Sequence, residues 1–169
     1  MDALSTPELL LEPLVVAHAE AMFEVLVEPE LYRYLDYPPP PSLEHLRGLY
    51  ARLESRRSPD GSQHWLNWVV RRPGEAPMGY VQATIDPDRT AWLGFVFSSR
   101  QWGRGYALQA SQAVLAHLAS AFGVARACGT VEAENQRSVR LLQRLGFHPA
   151  TAQELQGHDL SPTERLFVG

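Results

Sequence analysis

Apolar positions in the first third of the chain change period twice. Leu9-Leu10-Leu11-Glu12-Pro13-Leu14 is a short apolar run cut by a proline, and from about Ala17 to Val27 the residues Ala21, Met22 and Val25 recur at helical spacing. A strand followed by a helix is expected. Tyr34-Leu35-Asp36-Tyr37 then enters the prolines Pro38 to Pro41, which continue neither helix nor ladder and favour an extended connection. Ser42 is placed to cap a helix whose stripe is Leu43, Leu46, Leu49, Tyr50 and Leu53, stopping before Ser58-Pro59-Asp60-Gly61.

The middle of the chain alternates with period two. Trp65 to Val70 and Met78 to Ile85 are rich in aromatic and β-branched residues and are joined by the turn signal Arg72-Pro73-Gly74-Glu75-Ala76-Pro77, which predicts an antiparallel hairpin. After Asp86-Pro87-Asp88-Arg89, Ala91 to Phe97 supplies a third strand of the meander. The period then becomes helical: Ala107, Ala110, Val114, Leu118 and Ala121 share a face from about Arg104 to Phe122, with Gly123 placed to end the helix. A strand from Ala127 to Val131 would complete a right-handed parallel βαβ unit, so the sheet is expected to be mixed. Asn135 is placed to cap a short helix carrying Leu141, Leu142 and Leu145 beside Val139, ended by Gly146-Phe147. Strands near His148 to Leu155 and Glu164 to Val168 are expected to close the fold.

Composition narrows the function. A chain of 169 residues is one ordinary domain, and a net charge of −4 without a basic tail argues against bulk electrostatic binding of nucleic acid. Its 15 basic residues are all arginine, which carries no functional reading by itself. The single cysteine, Cys128, forms no internal disulfide, the N-terminus lacks a signal-peptide pattern, and no stretch is long and apolar enough to span a bilayer. A cytoplasmic protein is the expectation.

The chemistry centres on Phe97-Ser98-Ser99-Arg100-Gln101-Trp102-Gly103-Arg104-Gly105-Tyr106-Ala107, where a strand passes through two glycines into an alanine-rich helix. A helix N-terminus carries unpaired N–H groups and about half a positive charge, and glycine lets a phosphate approach closely. The alternative is a turn whose glycines only tolerate positive φ. G-x-x-x-x-G-K-[ST] is absent and G-x-G-x-x-G is incomplete, which disfavours a P-loop hydrolase and a Rossmann dehydrogenase.

Trp102-Gly103-Arg104-Gly105-Tyr106-Ala107, followed by a helix and a strand, then Asn135-Gln136-Arg137-Ser138 and Leu145-Gly146-Phe147, resembles the GNAT superfamily of acetyl-CoA-dependent N-acetyltransferases. Leu9 to Leu14 and Ala17-His18-Ala19-Glu20-Ala21-Met22-Phe23 resemble the opening of its RimJ/RimL-like branch, which acetylates protein N-termini. The resemblance implies an α/β (α+β) fold: one domain over residues 1–169, a mixed and mostly antiparallel sheet of about six to seven strands, about four flanking helices and a central βαβ unit. It also implies acetyl-CoA as cosubstrate, direct transfer without a covalent enzyme intermediate, no metal, an amine acceptor such as a protein N-terminus, no nucleic-acid or membrane partner, and a monomer or homodimer. The superfamily pattern Q/R-x-x-G-x-G/A fits Arg100-x-x-Gly103-x-Gly105 literally. The register Trp102-x-x-Gly105-x-Ala107 is preferred because its closing small residue falls in the first helical turn, and tryptophan at that place resembles the RimJ/RimL-like branch.

On that resemblance, amides from Gln101 through Trp102, Gly103, Arg104, Gly105 and Tyr106 to Ala107 hold the pyrophosphate. The edge of Phe95-Val96-Phe97 accepts the pantetheine arm, and a backbone N–H of Phe95 or Val96 meets the acyl oxygen. Leu142 occupies the place where some relatives carry a tyrosine acid, while Ser138 stands three residues after Asn135, where the branch offers a serine; an ordinary first-turn hydroxyl is its alternative role. Asp36, Glu132 and His64 are the ionisable groups to inspect as water-mediated bases. Arg137, Arg140 and Arg144 form a stripe that faces either the nucleotide or solvent, solvent being the plainer reading, and Tyr32 to Pro41 is a candidate acceptor wall. The same fold acetylating an amino acid, polyamine or aminoglycoside is the nearest alternative function; a non-catalytic CoA-binding module is another.

Overall fold

Antiparallel pairing of the aromatic runs builds most of one sheet, described over residues 1–169 in a computed structural model. The strands are β1 Leu4–Ser5, β2 Leu10–Pro13, β3 His64–Arg71, β4 Pro77–Ile85, β5 Thr90–Phe97, β6 Arg126–Glu132, β7 His148–Pro149 and β8 Glu164–Val168, in the order β1-β2-β3-β4-β5-β6-β8-β7. Only β5 and β6 run parallel. They are joined by helix α3, Tyr106–Phe122, which is the expected crossover.

Period-two alternation sorts the two faces. Leu66, Trp68 and Val70 of β3 join Val81 and Ala83 of β4 beneath Ala110, Val114 and Leu118 of α3. Val69, Tyr80 and Val96 turn to the other face, under helices α1 Ala19–Leu26 and α2 Leu43–Leu53, where Met22, Leu46 and Tyr50 pack. Each large apolar side chain buried this fully stabilises the fold by about 1.5–3 kcal/mol. Gly79 is fixed by close approach, because a Cβ there would strike the Val96 carbonyl oxygen on the neighbouring strand.

The helix ends follow local chemistry. The Ser42 hydroxyl accepts the His45 N–H at 3.1 Å and caps α2. Gly123 closes α3 in the left-handed region at φ 65°. Helix α4, Gln136–Arg144, is capped by Asn135, whose Oδ1 accepts the Ser138 N–H at 3.3 Å, and Gly146 follows it at φ 91°.

Several expectations need correction. Eight strands form, since Leu4–Ser5 adds a two-residue edge too short for any periodicity to reveal. Pro29–Tyr34, to which the pattern assigns no element, is a 3-10 turn, with proline fixing φ in its first turn. Helix α3 begins at Tyr106 rather than Arg104, because Gly105 at φ 81° stands outside the helical region. The strand expected from His148 to Leu155 ends at Pro149: the Thr151 N–H and hydroxyl both donate to Glu154 Oε2, and that local closure competes with a ladder.

Candidate active site

Strands β5 and β6 pair only over Thr90↔Arg126, Ala91↔Ala127 and Trp92↔Cys128, then diverge. The opening leads into a cavity of about 510 Å³ that reaches from α4 across β5 to the Pro29–Tyr34 turn. Strand alternation decides which backbone groups face it. The Ser98 N–H donates to Met78 O on β4 at 2.8 Å, and the Val96 carbonyl also points toward β4. Phe95, one residue out of step, therefore turns its N–H to the open side. Of the two sequence candidates, Phe95 and Val96, Phe95 is the one whose N–H faces the opening.

The glycine loop is selected in the same way. Gln101 N–H donates to Ser98 O at 2.9 Å and Trp102 N–H to Ser99 O at 3.3 Å, so these two amides are spent on the 3-10 turn Ser99–Gln101. From Gly103 to Leu108 the amides have no protein acceptor, as a loop and first helical turn dictate. The free row thus starts two residues later than the sequence reading placed it and extends one further. Gly103 and Gly105 stand at φ 77° and 81°, and a Cβ on either would meet nothing within 4 Å. Both border the cavity; the Arg104 side chain does not.

Two side-chain arrangements hold this loop. Trp102 Nε1–H donates to Phe97 O at 2.9 Å, and the Arg137 guanidinium lies 3.6 Å from the centre of its ring, a cation–π stack joining α4 to the loop. Tryptophan thus stands where the superfamily pattern has Q or R, with the cation delivered from α4. Arg137, Arg140 and Arg144 are all exposed, as the solvent-facing reading expects, and all border the mouth of the cavity as well.

Glu28, which sequence reading passed over, precedes the turn Pro29–Tyr34 and accepts from Ser98 Oγ at 2.5 Å and from Ser99 N and Oγ at 2.8 Å each. Burial raises its pKa, but these hydrogen bonds together with the Arg100 charge outweigh it and hold the carboxyl below the ordinary 4.5. A depressed folded-state pKa contributes stability above the unfolded value that is lost as pH falls through the folded one. Glu28→Gln is accordingly expected to melt about 2–4 °C below the parent at pH 7, a gap that narrows as the pH falls below 4.5 and the carboxylate takes up its proton. Melting curves of both proteins from pH 7 to 3 check this; a gap independent of pH would count against the carboxylate.

The remaining candidates divide. Ser138 and Asn135 border the cavity, and the Ser138 Oγ has no hydrogen-bond partner within the protein. Glu132 borders it at the end of β6. Asp36 is exposed and lies outside the lining, and His64 sits on the opposite face of the sheet, its ring 5.2 Å from that of Phe122. Cys128 is buried behind β6, where desolvation raises its thiol pKa, and it does not reach the cavity. At the end of the cavity beside the Pro29–Tyr34 turn, Tyr34, Tyr37 and Tyr80 contribute, with the Tyr37 and Tyr80 hydroxyls 3.2 Å apart. Burial and the neighbouring phenols hold the Tyr80 hydroxyl well above the ordinary 10, so it stays protonated at neutral pH. Tyr80 and Gln82 were missed because, inside a strand pattern, they read as ordinary sheet residues.

The parallel strand pair thus parts beside a row of unpaired amides, leaving an elongated opening with hydrogen-bond donors at one end. Residues 8–148 match the acetyltransferase (GNAT) domain, and the chain belongs to that family. It is an acetyltransferase whose donor is acetyl-CoA. It is 25% identical over 116 residues to the uncharacterized protein YkkB of Bacillus subtilis, an alignment covering 59% of this chain and 66% of that protein. Over 148 residues it is 24% identical to the uncharacterized N-acetyltransferase p20 of Bacillus licheniformis, covering 87% and 83% respectively. Among solved structures, it resembles RimL, a ribosomal L7/L12 alpha-N-protein acetyltransferase in complex with coenzyme A, with a TM-score of 0.81 at 19% identity over 99% of this chain and 97% of that one. No helix is long and apolar enough to cross a membrane.

Proposed function

We propose that this single-domain enzyme acts in the cytoplasm and transfers acetyl from acetyl-CoA directly to a peptide or protein N-terminal α-amine. The observation that carries the reading is the character of the acceptor side. Tyrosines 34, 37 and 80 and Gln82 line it, and the only carboxylates around the cavity are Glu30 and Glu132. A lysine ammonium is neutral in about four molecules per ten thousand at pH 7, whereas an α-amine is neutral about a tenth of the time, so an α-amine needs a strong base less. A polycation would call for more carboxylate than this wall offers.

Acetyl-CoA supplies an activated acyl thioester when bound. The chain's own groups then have separate tasks. Amides from Gly103 to Leu108, with Arg137, Arg140 and Arg144, meet the phosphates; the Phe95 N–H meets the acyl oxygen; and the Ser138 hydroxyl offers its proton to the departing sulfur. Glu132 or Glu30 takes up the proton released by the amine through water.

Two measurements test the reading. CoA binding only the folded chain is expected to raise the melting temperature, by about 2.7 kcal/mol of stabilisation at one hundred times its Kd, with NAD and ATP doing less at equal concentration. Product formation from acetyl-CoA is expected to be fastest with an unblocked peptide, ahead of an N-blocked lysine peptide, spermidine or an aminoglycoside. Preference for spermidine would replace the peptide assignment, and stronger protection by ATP than by CoA would remove the donor site.

A further inference from the structure

A second, smaller cavity of about 150 Å³ opens on the α1/α2 face of the sheet, over β3 and β4. It shares Gln82 with the large cavity. Register accounts for the shared residue: Asn67, Gln82 and Gly94 are direct neighbours across β3, β4 and β5. Gln82 leans over Gly94, since a Cβ at Gly94 would lie 2.9 Å from Gln82 Nε2. Gly94 in turn precedes Phe95, whose N–H faces the donor opening. A polar row therefore runs sideways from the acetyl-transfer point into the second cavity.

The side chains of that row lack partners. Asn67 is only 7% exposed, and its sole hydrogen bond is a long one, Nδ2 to Trp65 O at 3.4 Å, so its Oδ1 and second N–H have none within the protein. The Gln82 carboxamide makes no hydrogen bond to the protein at all. Gln82 is exposed and Asn67 nearly buried, and a carboxamide that lines a cavity with donor and acceptor atoms left over suits a ligand group of matching polarity. The rest of the lining is Leu53, Trp65, Leu66, Ala83 and Thr84, with no charged group.

We propose that this cavity is an acceptor subsite in which Asn67 and Gln82 hold peptide groups downstream of the amine that is acetylated. The proposal rests on the peptide-acceptor reading above and deepens it. A carboxamide donates and accepts at once, as a peptide group requires, and a neutral lining suits an uncharged backbone rather than a polyamine tail. Length agrees: adjacent strands lie about 4.8 Å apart, placing Asn67 about 10 Å from Gly94, which an extended peptide spans in about three residues. The amine sits at β5, the first peptide group passes Gln82, and a residue about three along enters beside Asn67 against Trp65 and Leu53.

The test compares an unblocked tetrapeptide with an amino-acid amide, which fills only the large cavity, on the parent, Asn67→Leu and Leu53→Trp. Leu53 is half-buried and lines the second cavity but not the large one, so filling the second cavity from that position keeps the test alive if Asn67→Leu does not fold. With CoA binding and melting unchanged, each variant is expected to lose roughly 5- to 30-fold in kcat/KM for the tetrapeptide, mostly through KM, and less than about two-fold for the amide. Equal losses on both acceptors, or none on the tetrapeptide, would overturn the subsite while leaving the peptide reading intact. A parent enzyme that acetylates diamines but no peptide would overturn both.

Discussion

Ser138→Ala is expected to lower kcat and kcat/KM together by roughly 10- to 1,000-fold, the range in which losing a general acid or a transition-state hydrogen bond usually falls. The hydroxyl borders the cavity without a protein partner, while the residue's backbone N–H is the one held by Asn135. Cap and hydroxyl are thus separable: the cap survives the substitution, and alanine is the best helix former. CoA affinity and melting temperature should hold. Steady-state kinetics on a peptide amine, with a melting curve beside them, decide the matter. Wild-type turnover would leave water to protonate the departing sulfur.

Gly105→Val is expected to weaken CoA binding by about 100-fold or more, the equivalent of two hydrogen bonds to a charged group at about 1.5–3 kcal/mol each. Two causes act together. Gly105 stands at φ 81°, a conformation that a β-branched residue adopts only under strain, and the space beyond its absent side chain belongs to the cavity. Titration with CoA followed by calorimetry measures the loss. Because the strain falls on the cap of α3, melting of the free protein must be read alongside; a variant that melts normally and binds CoA normally would show that the amide row is not the phosphate site.

The order of elements was legible because most of the elements that form the core are long and periodic. The stripe Leu43 to Leu53 and the alternation from Trp65 to Phe97 each leave one face apolar, and burial obliges them to fold as read. Strand β1 and the Pro29–Tyr34 turn are too short to show a period, and tertiary contacts place them. Ser138 and the glycine loop stood out because their residue types sit at informative spacings. The orientation of individual amides did not. Whether Phe95 or Val96 faces the opening depends on which side of β5 pairs with β4, and whether Gln101 is free depends on a 3-10 turn that its sequence does not announce. Glu28 was hidden for another reason: its partners Ser98 and Ser99 lie about 70 residues away, a separation no local pattern spans.

The short parallel pairing of β5 and β6 has a mechanical meaning. Three residue pairs are all that join the β1–β5 half of the sheet to the β6–β8 half before the strands part. Beyond them the two halves are held by side chains and helix α3 rather than by a ladder: Arg137 stacks on Trp102, Trp92 meets His158 edge to face, and Leu93 and Phe97 share a core with Val131 and Leu142. The molecule thus carries a built-in seam, and under the function proposed above the donor's arm would lie along it as a removable strand. A ligand in that position would do more than occupy a site: it would mend the seam, so that each turnover would loosen and re-tighten the same line through the protein.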